Sequence, residues 1–206
     1  NKNKEKYLVD KVVKQFLTPK QYIKLESLSK RKDVKISSKL ILETKDKNWN
    51  WQVLSESEKA EISNELILEL KNKNWNWQAL SKRKNIEFSN ETLLQLLDKD
   101  WDWNYLSDNV NLEFDPNFIE QTRAKSWDWK SVCRHQSFSP TIDILMLIKD
   151  FNIDWEYISK HSSLVPTKEI LAKFENKWHW KSITEKAKDY FDDIDFLERF
   201  ADKWNW

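Results

Sequence analysis

The sequence predicts an all-α fold: an α-solenoid of seven short helix–loop–helix repeats with a period of 26 residues and short extended connectors. Two observations predict it. All 13 Trp of the 206 residues fall in one periodic series. An Asn or Asp stands between the members of most Trp pairs, and these are strong helix N-caps. Glycine is absent, although average usage of about 7% would supply about 14 residues.

The series reads Trp49/Trp51, Trp75/Trp77, Trp101/Trp103, Trp127/Trp129, Trp155 alone, Trp178/Trp180 and Trp204/Trp206. The second members step by 26, 26, 26, 26, 25 and 26 residues. A fixed period between about 20 and 50 residues marks a repeat array. Leu28–Lys32 matches Leu80–Lys84 and exposes an earlier copy, in which Ile23 and Leu25 replace the two Trp. Ile153 replaces the first Trp of a later copy. The units are 23–48, 49–74, 75–100, 101–126, 127–152, 153–177 and 178–203, and Trp204 begins an eighth. Residues 1–22 form a separate N-terminal region, where Tyr7, Leu8, Val12, Val13, Phe16 and Leu17 predict one helix before Thr18-Pro19. The chain opens without Met and closes on an indole pair, so it is expected to be part of a longer protein whose array continues.

The first helix of each unit starts inside the Trp pair. Residues i and i+2 point about 200° apart on a helix, so the two indoles do not share a helical face. With the intervening residue (Asn50, Asn76, Asp102, Asp128, Asp154) as N-cap, the first Trp precedes the helix and the second opens it. The apolar residue three positions after the second Trp then closes a hydrophobic staple against the first. The predicted core is Trp49, Trp51 and Leu54; Trp75, Trp77 and Leu80; Trp101, Trp103 and Leu106; Trp127, Trp129 and Val132; Trp155 and Ile158; and Trp178, Trp180 and Ile183. His179 takes the cap position of the last full unit and should cap more weakly. The small residue after the staple (Ser55, Ser81, Ser107, Cys133, Ser159, Thr184) is expected to let a neighbouring helix approach.

A polar loop follows, then an extended stretch such as Ile86-Glu87-Phe88, predicted to be one β-bridge long. The second helix is predicted to be capped by Ser37, Ser63, Ser89, Asp115, Ser139 and Asp192, with Pro116, Pro140 and Pro166 at first helical positions. It carries Leu66-Ile67 or Leu93-Leu94 and runs into Lys/Asn-rich text, where Asn is expected to replace Gly at a left-handed exit.

Without glycine there is no P-loop, Rossmann fingerprint, nucleophile elbow or EF-hand loop in its usual form. The single Cys133 excludes an intramolecular disulfide and indicates a reducing, cytoplasmic setting. It fills the Ser position of its unit and is not expected to act as a nucleophile. His135 and His161 share one repeat position in a polar loop, and nothing near them has metal-ligand spacing. No catalytic residue, metal or cofactor is predicted, and no apolar run spans a membrane.

The pattern W-[DN]-W-x-x-[LIV]-S every 26 residues resembles the "WDW" tryptophan repeats of large bacterial and giant-virus proteins. The resemblance covers residues 23–206, most weakly 23–48, and implies no activity for any residue here. The expected function is a non-catalytic scaffold that recognises a protein partner or another domain of the same chain, with its oligomeric state open. The alternative is nucleic-acid binding. Residues 1–50 carry 14 Lys/Arg against 6 Asp/Glu, and two loops carry Lys30-Arg31-Lys32 and Lys82-Arg83-Lys84, the candidate partner-binding residues. The copy between them reads Ser55-Glu56-Ser57-Glu58, so the basic loops form no continuous stripe. Indoles can also stack on bases, but these Trp recur with the cap and the Leu, as core positions do.

Overall fold

A computed structural model describes residues 22–206 and shows an all-α repeat solenoid. The helix expected before Thr18 lies outside the described residues. Each repeat contributes two helices. The first helices are α1 (Tyr22–Ser29), α3 (Trp51–Glu56), α5 (Trp77–Ser81), α7 (Trp103–Leu106), α9 (Trp129–Arg134), α11 (Trp155–Lys160) and α13 (Trp180–Lys186). The second helices are α2 (Ser38–Glu43), α4 (Asn64–Glu69), α6 (Asn90–Gln95), α8 (Pro116–Thr122), α10 (Ile142–Ile148), α12 (Lys168–Lys173) and α14 (Ile194–Arg199). The chain divides into two compact units, 22–111 and Leu112–Trp206. In the first, α1 packs on α3, α3 on α5 and α5 on α7. In the second, α8 packs on α10 and α11 on α13.

The first helices begin where the Trp pairs place them. Asn50, Asn76, Asp102, Asp128 and Asp154 each accept the N–H three residues on, for example Val53 N to Asn50 Oδ1 at 3.1 Å and Tyr157 N to Asp154 Oδ1 at 2.9 Å. These bonds satisfy one of the donors a helix start leaves open. His179 makes no such bond; its Nδ1 lies 2.8 Å from Ser182 Oγ instead. In the first copy, where Lys24 stands in the cap position, α1 starts earlier, at Tyr22.

Second-helix caps are Ser37, Ser63, Ser89 and Asp115 as expected, with Pro116 at the first helical position. Thr141 caps α10, not Ser139, and Asp193 caps α14, not Asp192. Thr167 caps α12, so Pro140 and Pro166 lie one residue before a cap and not inside the helix. The burial register explains the shift. The second helices bury positions three, four and seven after the cap, as in Leu66/Ile67/Leu70 and Phe118/Ile119/Thr122. Thr141 brings Ile144, Leu145 and Ile148 inside; Ser139 would have placed Asp143 there.

The left-handed exits do not form: no described residue has positive φ. Second helices end in right-handed conformations, such as Leu70 at φ −106°, ψ 24° and Lys149 at φ −53°, ψ −25°. Glycine normally closes a helix end because the left-handed exit lets following N–H groups satisfy its last carbonyls. Here a right-handed turn, as in Lys73 N to Leu70 O at 2.9 Å, shares that task with the indole of the next repeat. Trp75 Nε1 donates to Leu70 O at 2.9 Å, Trp101 Nε1 to Leu96 O at 2.9 Å and Trp127 Nε1 to Thr122 O at 3.1 Å. Trp49 Nε1 donates to the Thr44 hydroxyl at 3.0 Å.

The 25-residue step is local to one linker. Trp75 follows its preceding cap, Ser63, by twelve residues, whereas Trp178 follows Thr167 by eleven. The indole of Trp178 compensates by reaching Leu171 O, seven residues back, at 3.1 Å; Trp204 does the same with Leu197 O at 2.9 Å.

Between helices the chain is extended, with Ile86 and Phe88, then Leu112 and Phe114, buried around exposed Glu87 and Glu113. This period-two burial is that of a strand. One pair closes as a parallel bridge, Ile36 with Ala60, through Ile36 N to Lys59 O at 2.9 Å and Glu61 N to Ile36 O at 2.8 Å.

Candidate functional site

The first helices are amphipathic over one or two turns. Their staple residues Leu54, Leu80, Leu106, Val132, Ile158 and Ile183 are fully buried. The next residue locks consecutive repeats together. Ser55 Oγ donates to Trp51 O at 2.7 Å and accepts the N–H of Asn76 at 2.9 Å; Ser159 makes the same pair with Trp155 O and His179 N. The hydroxyl is therefore a hydrogen-bonded rivet and not merely a small side chain. Cys133 takes this position in its own repeat; burial pushes its thiol up to about 12, so it stays protonated near neutral pH.

The first Trp of every pair is buried, and the rings of Trp51, Trp77, Trp155 and Trp180 pack against the first Trp of the following repeat. Trp51 meets Trp75 at 4.8 Å and 69°, Trp77 meets Trp101 at 4.9 Å and 68°, and Trp155 meets Trp178 at 5.4 Å and 87°. These edge-on contacts suit the ring quadrupoles. Ile153 offers no ring, and Trp129 stacks on Phe151 instead, at 4.8 Å and 16°. The still half-open second rings are lidded by a lysine: Lys73 Nζ lies 5.7 Å from the Trp51 ring and Lys99 Nζ 5.8 Å from Trp77. Among the described residues the indoles are buried or half-buried, except Trp206, which is 82% exposed.

What the first helices turn outward forms the candidate binding surface. Side chains five after the second Trp cross to the cap of the following repeat: Lys82 to Asp102 at 3.5 Å, Arg134 to Asp154 at 2.8 Å, and Asn76 Nδ2 to Glu56 at 3.5 Å. Lys82 also lies 5.2 Å from the Tyr105 ring and Arg134 4.8 Å from Tyr157. The bond from Tyr157 N, foremost, and the Arg134 guanidinium hold the Asp154 carboxyl below the usual carboxylate range. Each unit has a polar groove between adjacent first helices. One lies between α1 and α3, about 430 Å³, and the other between α11 and α13, about 640 Å³.

Lys30, Arg31 and Lys32 all line the α1–α3 groove. Lys30 pairs with Glu26 at 3.4 Å and Arg31 with Asp33, whose carboxyl that bond draws down to about 2. The second basic loop is not a patch. Lys82 is committed to Asp102, Lys84 is exposed, and Arg83 is 7% exposed. Arg83 Nη2 donates to Ala60 O at 2.5 Å, Nη1 to Ser57 O and Ser55 O, and Nε to Asn85 Oδ1 at 3.2 Å. It closes the C-terminal end of α3 from the next repeat, and burial lowers its pKa. Its three guanidinium nitrogens are thus all bonded within the chain.

Sequence reading missed the cross-repeat role of the position five after the second Trp where Glu56, Lys82 and Arg134 occupy it. Aligning charges by the repeat, with the cap beside them, carries that signal. His135 and His161 each hold the hydroxyl and N–H of a Ser two residues on, His135 Nδ1 lying 2.8 Å from Ser137 Oγ. Among the described residues no group of His, Cys, Asp and Glu is arranged to hold a metal ion, and no helix is long and apolar enough to cross a membrane.

The Trp recur in helices at the 26-residue spacing of a tryptophan repeat. Comparison with known proteins finds no family model, curated protein or solved structure that matches the chain.

Proposed function

We propose that this segment is a non-catalytic repeat scaffold that binds a protein partner, or another domain of its chain, through the outward face of its first helices. One contrast carries the reading. The inward positions repeat as Trp, a short polar cap, an aliphatic staple and a hydroxyl. The outward position after the second Trp changes freely, from Gln52, Gln78 and Asn104 in one unit to Lys130, Glu156 and Lys181 in the other. A surface whose chemistry varies over a constant core can be specified residue by residue for one partner. A cytoplasmic setting belongs to the same proposal, on the strength of a single, buried cysteine.

The test is substitution of Gln52, Gln78, Asn104 and Tyr105 by Ala in one variant. It should abolish binding of the partner held by the wild type with little change in melting temperature. Retained binding, or equal loss from substitutions on the second helices at Glu65 and Glu91, would discard this face. The nucleic-acid reading is weaker, because one of its six candidate cations, Arg83, is consumed by backbone carbonyls. It requires affinity that falls steeply with salt.

A further inference from the structure

We propose that the cavity between α1 and α3 is a receptor slot for a guanidinium group, filled by an arginine side chain of the partner protein. The argument is a comparison of the fold with itself. At the next boundary, between α3 and α5, the position six after the second Trp is Arg83, and its guanidinium lies against the carbonyls of Ser55, Ser57 and Ala60. One repeat earlier the same position is Ser57. A serine is too short to follow that path, and a cavity of about 430 Å³ stands there, with Ser57 itself, Ser29, Glu56 and Glu58 in its wall. Ser29 is the repeat counterpart of Ser55, whose carbonyl Arg83 uses.

The chemistry of the slot favours a planar cation. It opens at the C-terminal end of α1, where carbonyls carry the negative pole of the helix. A guanidinium has five donors in a rigid fork and suits several convergent carbonyls; a phosphate has none to give them. Glu56 and Glu58 add carboxylates; at the Arg83 boundary burial lowers the guanidinium's pKa and the charge of Glu58 opposes that. Of the cations in the wall, Arg31 is held by Asp33 and Lys30 by Glu26, while Lys32 and Lys59 extend from exposed positions. The asparagine that takes the position in the following repeat also points to a donor slot: Asn109 Nδ2 reaches Ile86 O at 3.1 Å, the carbonyl equivalent to Ala60 O.

The slot deepens the scaffold reading and rests on it only for the partner being a protein. It is tested with the whole chain and N-acetyl-arginine amide, by calorimetric titration. Saturable binding in the millimolar range is expected, weakened at least tenfold in Ser57→Arg, which supplies the guanidinium internally, and severalfold in Glu58→Gln. Circular dichroism establishes that Ser57→Arg folds; if it does not, Glu58→Gln decides. No saturable binding, binding unchanged in the deciding variant, or binding of inorganic phosphate in preference to the amide would overturn the slot. Free arginine binding tenfold more tightly than the capped amide would overturn the partner side chain as its source. The four-residue substitution on the first helices leaves these groups in place, so a failed slot and a failed scaffold give different results.

Discussion

The hydroxyl of Ser81 accepts the backbone N–H of Asp102 at 3.0 Å while donating to the carbonyl of Trp77 at 2.8 Å. One atom thus holds the end of one helix and the cap of the next. Ser81→Ala leaves the Asp102 N–H without its partner at a half-buried site. The expected cost is about 1–3 kcal/mol, read from urea unfolding. A loss within error would show that water replaces the bond.

Trp101 offers a separation of ring from N–H. Trp101→Phe keeps a buried ring against Trp77 but gives up the bond to Leu96 O. About 0.5–1.5 kcal/mol should be lost with that bond, since Leu96 O keeps the N–H of Lys99 at 3.1 Å, against about 3–5 kcal/mol for Trp101→Ala, which also empties the core. Equal losses in the two variants would mean that the indole N–H contributes little.

His179 is the cap without a cap bond. His179→Asn restores the acceptor present at Asn50 and Asn76. It should stabilise the second unit by roughly 0.5–2 kcal/mol, visible as a raised melting temperature.

The lowered pKa of Asp154 fixes the sign of an acid effect. Its folded carboxyl titrates below its unfolded one, so its contribution is complete above the usual carboxylate range and disappears as pH falls through the folded value. Asp154→Asn keeps an acceptor for Tyr157 N and removes the charge facing Arg134. The variant should show a shallower loss of stability between neutral and acid pH. An unchanged slope would assign the acid sensitivity to other carboxylates.

Cys133 should resist thiol reagents at neutral pH until the chain unfolds, because burial keeps it protonated. Its folded pKa lies above the unfolded one, so its contribution is complete below the unfolded value and fades as pH rises toward about 12. Rapid labelling under native conditions would contradict the buried position.

The architecture was legible because its signals are local and recur. A cap, an apolar residue and a small polar residue at constant spacing fix where each first helix starts and which side it buries. Ser139 and Asp192 misled because several Ser, Thr and Asp cluster before those helices, and only the burial of Ile144 and Phe196 selects among them. The exits differ from the expected ones because a right-handed turn N–H and an indole from the next repeat together take the carbonyls that a left-handed Asn would have served. Arg83 could not be told from Arg31 by composition: the two occupy the same repeat position. What separates them is the partner each takes: Arg83 turns onto the carbonyls at the end of α3, Arg31 onto the Asp33 carboxylate two residues away.

The movable acceptor of the first indole has a consequence for how such a chain can change. When a linker loses a residue, as before Trp178, the ring slides its bond from a carbonyl five residues back to one seven back, and the packing beyond it resumes. Length errors are absorbed within a single copy and are not passed down the array. Copies of unequal length can therefore be duplicated, deleted or exchanged as interchangeable cassettes, and evolution can rewrite the outward face of one without re-registering its neighbours.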